Sequence, residues 1–255
     1  MTRRNKIILA LLGLAAFLLF MVIQFPARTA WQWVPQEIQN QLRLQGLEGS
    51  IWNGHARQVW FQHYDLGRVD WQLSPFGLIT GGLSVDFEID ASTIQATGEI
   101  SSSDTEAFEI TELKAVIDPS LLDTRLAPVS LLGTLGMDIK NASYEAGRLI
   151  AIEGVASLGS GMLEGPYPLP LGDVSAVLTP AGNETEISIE NRDSPLGISG
   201  IVLLTADGQY ELQFEIHNAD PSRQDINDAL SLLGRPDDNG RHQIGFRGQV
   251  PLQAL

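Results

Sequence analysis

Four histidines, His55, His63, His217 and His242, are the side chains in this sequence best suited to general acid–base work or metal ligation. His55 and His63 share parity and could lie on one face of a strand, but no carboxylate stands at a ligand spacing beside them. All four read as surface histidines. Asp237-Asp238-Asn239-Gly240 has the composition of a calcium loop, yet the ligand spacing is wrong and no glutamate closes it, so a polar turn is expected. Gly159-Ser160-Gly161 lacks the third glycine and the following helix of a phosphate-binding loop, and also reads as a turn. Neither a Gly-x-Ser-x-Gly elbow nor a His-Glu-x-x-His pair occurs. The chain has no cysteine, which excludes thiolate catalysis, cysteine metal sites and disulfide staples. A buried acid pair assembled by the fold stays open, because spacing does not reveal one. The expectation is therefore no catalytic, metal or cofactor site.

The longest single element is apolar. From Ile7 to Ile23 no side chain is charged or otherwise polar; Gln24 is the first, and Pro26 stops the run. As a helix at about 1.5 Å per residue, this run spans most of a hydrocarbon core of roughly 30 Å. Arg3, Arg4 and Lys6 precede it without an acidic residue, which places the N-terminus on the cytoplasmic side and the rest outside. Trp31 and Trp33 follow where the membrane–water interface should be. A cleaved signal peptide is the rival reading, but its apolar core is shorter and the segment Phe25 to Ala30 is a poor cleavage site. The expected layout is a cytoplasmic tail at 1–6, a retained transmembrane helix at 7–25, and a juxtamembrane tether at 26–46.

Charge narrows the partners. The chain carries 16 basic and 31 acidic residues; three basic ones precede the apolar run, leaving 13 − 31 = −18 for the exported part. Nucleic acid needs clustered Lys and Arg to neutralise phosphate, so it is excluded as a partner. Anionic lipid would not attract such a surface either.

Beyond residue 46 the hydrophobic period becomes two. Val69, Trp71 and Leu73 alternate with polar residues, as do Leu83, Val85, Phe87 and Ile89, then Leu212, Phe214 and Ile216. Such alternation predicts antiparallel sheets with one buried and one wet face. Phe108 and Ile110 fall out of parity with Leu113, Ala115 and Ile117, which predicts a bulge. Asp207-Gly208 between two runs is a type I′ hairpin signal. Helical signals are few. Pro35 with Val34, Ile38 and Leu42 predicts a short helix within 30–44, ended by Gly46. Asp220-Pro221 predicts another, carrying Ile226, Ala229, Leu230 and Leu233, with a weaker version over Pro119 to Leu126.

The second half repeats the first. Leu66-Gly67-Arg68-Val69-Asp70-Trp71-Gln72-Leu73-Ser74-Pro75 returns as Leu171-Gly172-Asp173-Val174-Ser175-Ala176-Val177-Leu178-Thr179-Pro180, and Asp118-Pro119-Ser120 as Asp220-Pro221-Ser222. Between the two matches lies a three-residue deletion. Alternation explains the apolar matches but not the glycines, prolines and Asp-Pro-Ser in one order. The predicted class is mainly β: two similar curved antiparallel sheets from an internal duplication, each copy closed by a short helix, with β repeats at 47–147 and 148–255.

Gly49-Ser50-Ile51-Trp52-Asn53-Gly54, followed by Leu66-Gly67-x-Val69-x-Trp71-x-Leu73-x-Pro75 and Gly81-Gly82, resembles protein N of the bacterial type II (general) secretion pathway. The likeness runs through Gly147-Arg148-Leu149 and Glu153-Gly154 and covers the whole chain. It implies a single-pass inner-membrane component with a periplasmic β domain. Such a component supports export of folded proteins across the outer membrane by contact with other secretion components. The β domain is also similar to AsmA-like proteins, whose curved sheets line an apolar groove, so lipid is the alternative partner. The resemblance carries over no catalytic residue. Gly49 and Gly54 bracket a strand and permit close backbone approach. Trp52 and Trp71 are read as core residues, with the alternative that one stands at an exposed rim. With Leu83, Val85 and Phe87 they form the expected set of partner or groove contacts.

Overall fold

The structure, a computed structural model, describes residues 11–14, 17, 20–62, 64–75, 77, 81–104, 106–121, 130–165 and 168–249. The expected membrane span at 7–25 therefore lies partly outside the described residues, as does the tail at 1–6. Residues 11–14, 17 and 20–23 are helical, and their side chains are exposed. Among the described residues no helix is long and apolar enough to cross a membrane.

Two units divide the chain, Met1–Ala91 and Ser92–Leu255. Position 147/148, the expected boundary between the two repeats, lies at a β-turn within the second unit. In the first unit, α1 (Ala27–Trp31) and α2 (Gln36–Gln41) lead into β1 (Leu42–Gly49), β2 (Asn53–Phe61), β3 (Tyr64–Leu73) and β4 (Leu83–Asp90). Each strand pairs antiparallel with the next. The expected helix is cut short: Pro35 stands at the start of α2, but Leu42 and Leu44 pair with Phe61 and Val59. Gly46, expected to end a helix, lies within β1 at φ 66°. Backbone pairing with β2 outweighs the weak helical period there.

The second unit is a nine-strand antiparallel meander. Its strands are β5 (Ile94–Asp104), β6 (Ala107–Ile117), β7 (Ser130–Glu145), β8 (Arg148–Glu164), β9 (Leu169–Ala181), β10 (Glu184–Arg192), β11 (Leu196–Thr205), β12 (Gln209–Asn218) and β13 (His242–Gln249). One rung crosses all nine: Ala96, Ala115, Met137, Ala156, Ala176, Ile189, Gly200, Phe214 and Ile244 are directly opposed in turn. The predicted alternation thus builds one apolar face per unit, in consecutive strand order. The bulge expected near Phe108 is present: the β5–β6 register shifts between Thr97 and Glu99, and Glu112 takes φ 51°. The Asp207-Gly208 hairpin joins β11 to β12, but as a three-residue loop in which Gly208, at φ 81°, takes the left-handed position. Gly159-Ser160-Gly161 is not a turn; it lies within β8, where the register with β9 shifts and the Ser160 N–H donates to Asp173 Oδ1 at 2.8 Å.

The core of this unit sits where α3 (Gln224–Ser231) covers the apolar face. Ile226 and Leu230 pack with Leu158, Leu171 and Leu196, and Val174, Ile198 and Ile216 border them. The Asp220 side chain does not cap α3. It accepts the Ser222 N–H at 3.0 Å and the Ser222 hydroxyl at 2.7 Å, forming a turn before the helix. Asp118 builds the same turn, accepting the Ser120 N–H at 2.8 Å, and a single 3₁₀ turn, Pro119–Leu121, follows. The rest of the weaker helix expected to Leu126 lies outside the described residues.

The two similar decapeptides, at 66–75 and 171–180, pair with the next strand in the same register. Arg68, Val69, Trp71 and Leu73 of β3 oppose Asp90, Ile89, Phe87 and Val85 of β4. Their counterparts Asp173, Val174, Ala176 and Leu178 of β9 oppose Arg192, Asn191, Ile189 and Ile187 of β10. Gly67 and Gly172 take φ 62° and 67°, and each has the end of the following strand where a Cβ would sit.

Candidate functional site

The Gly49–Gly54 stretch is the tip of the β1–β2 hairpin. The Ser50 N–H donates to Asn53 O at 2.9 Å, and the Ser50 hydroxyl accepts from the Trp52 and Asn53 N–H groups at 3.2 and 3.1 Å. Gly49 has φ 86°, a left-handed conformation that a side chain would strain. The Trp71 ring lies against Gly54, which has no room for a Cβ, and its Nε1–H donates to Ile51 O at 3.2 Å. The glycines and both tryptophans therefore make one unit, with Trp71 beneath the tip.

The tip also holds the end of the apolar helix. The Trp52 Nε1–H donates to Val22 O at 2.8 Å. The Ile51 N–H donates to Phe25 O at 3.0 Å, and Pro26 forms an antiparallel bridge with Ser50. The Phe25 and Trp33 rings lie 5.1 Å apart, tilted by 41°. Sequence reasoning missed this link, although one signal was available: Pro26 has no N–H to give the Val22 carbonyl, which leaves that acceptor open to other donors.

Four of the five expected contact residues come together on β3 and β4. Trp71 directly opposes Phe87, and Leu73 opposes Val85. Leu83 shares their parity at the start of β4 and is 44% exposed. Trp71, Val85 and Phe87 are half-buried rather than core. Trp52 stands at the tip, and its carbonyl accepts the Leu73 N–H at 2.7 Å. The opposite face is charged: Arg68 donates to both Asp70 oxygens at 2.6 and 2.7 Å, and this guanidinium holds the Asp70 carboxyl below the usual carboxylate range.

A second concavity, about 1160 Å³, opens across β9–β13 and includes Glu190, Ile201, Gln213 and Phe246 in its lining. Of the histidines, His55 lies 3.8 Å from Glu48, and the His217 ring rests against Gly197. His242 is a correction: it is 7% exposed, with Nδ1 unbonded, because it sits opposite Ile216 under the apolar face. His63 lies outside the described residues. Asp237 forms the expected polar turn, its Oδ1 accepting from the Asn239 and Arg241 N–H groups at 2.9 and 2.8 Å. Among the described residues no cluster of three potential metal ligands occurs, and every resolved carboxylate shift is downward. Such carboxylates serve as hydrogen-bond acceptors and ion-pair partners; none is poised as a proton donor near neutral pH.

Comparison with known proteins gives a consistent result. The family profile for type II secretion system protein N matches residues 40–245. The chain is similar to the type II secretion system protein N of Klebsiella pneumoniae, with 26% identity over 96% of this chain and 97% of that protein. It is similar to the protein of the same name in Vibrio cholerae, with 24% identity over 90% and 92%. The Aeromonas hydrophila protein of that name is 22% identical over 97% and 100%. No solved structure matches.

Proposed function

The chain belongs to the type II secretion system protein N family, and on that premise we propose that it is a non-enzymatic, inner-membrane-anchored component of that system. The observation that carries the reading is the family match over residues 40–245. The apolar run is a retained single-pass anchor with the N-terminus in the cytoplasm, supported by Arg3, Arg4 and Lys6 before it. The strands lie in the periplasm and assist export of folded proteins by touching other secretion components. The exposed Leu83, with Val85, Phe87 and Trp71 beside it and Trp52 at the tip, is the contact surface for such a partner. Two β repeats from one duplication underlie the architecture; the shared register of β3–β4 and β9–β10 supports this.

The test is a deletion strain scored for where secreted proteins accumulate, with in-cell crosslinking from probes at positions 83, 85 and 87. Periplasmic accumulation and a crosslink to a secretion component are expected. Normal secretion with altered outer-membrane lipid, and copurified lipid without a crosslink, would replace this reading with AsmA-like lipid handling. That second reading draws on the apolar faces and the concavity across β9–β13.

A further inference from the structure

The segment between the apolar run and β1 reads in sequence as a tether. Its geometry is that of a joint. In an α-helix the Val22 carbonyl would accept from the N–H of residue 26, but Pro26 has none. The Phe25 N–H reaches Val22 O instead, at 3.2 Å, and the Trp52 indole N–H supplies a second donor at 2.8 Å. One residue of backbone then carries the Phe25 carbonyl to the Ile51 N–H, and Pro26 bridges Ser50. The Trp52–Val22 bond and the Pro26–Ser50 bridge, to which the Ile51–Phe25 bond belongs, tie tip residues 50–52 to Val22, Phe25 and Pro26 and leave little freedom between helix and hairpin. The aromatic residues at this joint come from two distant parts of the chain: Phe25 meets Trp33, which is 73% exposed, and Trp52 arrives from the hairpin. The described apolar side chains just before it, Phe20, Met21, Val22 and Ile23, are 50–57% exposed. An apolar helix with bare sides, ended by amphipathic rings whose N–H groups need acceptors, has the chemistry of a bilayer passing into its headgroup layer. Toward the hydrocarbon side of that boundary water competes poorly for backbone groups, so a second, built-in donor to the Val22 carbonyl beside the long Phe25 bond is worth having.

We propose that the Gly49–Gly54 tip is seated in the lipid–water interface and caps the end of the apolar helix through Trp52, so that β1–β4 leave the membrane in a fixed direction. The partner surface is the interfacial layer of a bilayer, and the proposal rests on the reading of the apolar run as a retained anchor. The experiment uses the full chain in phosphatidylcholine nanodiscs. Single-tryptophan variants keep Trp52, Trp33 or Trp60, with the other tryptophans changed to Phe, and fluorescence is measured with lipids brominated near the headgroup end of their chains. Trp60 is the reference because it lies at the far end of β2, opposite Arg43 and Asp65. Trp52 and Trp33 should be quenched to similar extents, and Trp60 should not. Quenching of Trp33 without Trp52 overturns the seat while leaving the anchor standing; quenching of neither removes the anchor and the seat together. Equal quenching of all three also overturns it, since the sheet would then lie flat. The cap is read separately with Trp52→Phe, which keeps the ring and deletes the donor. Amide exchange at Ile51 should quicken about five- to tenfold, the loss expected for one hydrogen bond holding a local unit closed. Unchanged exchange at Ile51 refutes the cap.

Discussion

Gly67 and Gly172 show how much of this chain is decided by single backbone positions. Both take left-handed φ, and in both an added Cβ would meet a carbonyl oxygen at the end of the next strand, that of Asp90 or of Arg192. A non-glycine residue costs about 1–2 kcal/mol for the left-handed conformation alone. The contact with fixed backbone adds to that, so Gly67→Ala or Gly172→Ala should lower unfolding free energy by about 2 kcal/mol or more in denaturant titrations; a loss within experimental error would show that the strands can shift apart. The Asp-Pro-Ser turns give a pH signature. The Asp220 carboxyl is held below its usual range first by the Ser222 hydroxyl and then by the Ser222 N–H, and Asp118 by the Ser120 N–H. A depressed folded-state pKa contributes stability above the unfolded value, near ~3.9, and that contribution is lost as pH falls through the lower folded value. Since the resolved carboxylate shifts all point this way, the melting temperature should stay flat at neutral pH and fall only below about pH 4. Asp118→Asn with Asp220→Asn should melt lower at neutral pH and show a shallower acid limb. A decline already complete by pH 6 would contradict this assignment.

At the scale of elements, α3 closes the apolar face of the second unit over Leu158, Leu171 and Leu196. Ile226 is fully buried, and Leu230 is 3% exposed against Leu196 at 2%. Ile226→Ala removes three buried carbons from a site ringed by strand residues that cannot collapse inward, so a loss of about 2–5 kcal/mol is expected by calorimetry or urea titration. Leu232→Ala, 69% exposed just beyond the helix, should change little and serves as the control. Strand identity was legible wherever side chains alternate, as at Val69–Leu73 and Leu212–Ile216, because parity follows directly from the pleat. Where the chain runs Leu42-Arg43-Leu44, a four-residue apolar spacing mimics a helix, and only pairing with β2 decides for strand. The Asp220 cap failed for a similar reason: the Asp-Pro-Ser side chains satisfy one another and leave α3 to begin at Gln224. The site was half legible. Motif residues Trp52 and Trp71 stood out, but the acceptor at Val22 lies thirty residues away in sequence: Pro26 marks the missing helical donor, and nothing local names the one that replaces it.

For the whole molecule the governing quantity is charge. Beyond the apolar run the chain carries 13 basic against 31 acidic residues, so acidic groups exceed basic ones there by 18. Several cations are committed to close pairs: Arg68–Asp70, Lys140–Glu153, Arg192–Glu190, Arg223–Asp225, Arg241–Glu215 and Arg247–Glu211, at 2.5–3.0 Å. Salt acts on the two sets in opposite directions. It weakens the pairs, but exposed pairs are worth only about 0–1 kcal/mol each. It also screens the mutual repulsion of the excess carboxylates, which sums over many partners and reaches across the strands when the Debye length is long. That length falls from about 30 Å at 0.01 M to about 10 Å at 0.1 M, so most of the repulsion is removed in this interval. Repulsion should therefore win: the melting temperature of the full chain in a nonionic detergent should rise between 0.01 and 0.1 M sodium chloride and then level off. Replacing Glu211 and Arg247 together by Gln, which deletes one pair and leaves net charge unchanged, should preserve that rise. A melting temperature that falls steadily with salt would mean that the ion pairs outweigh the excess charge, and it would remove net repulsion as the term setting this protein's stability.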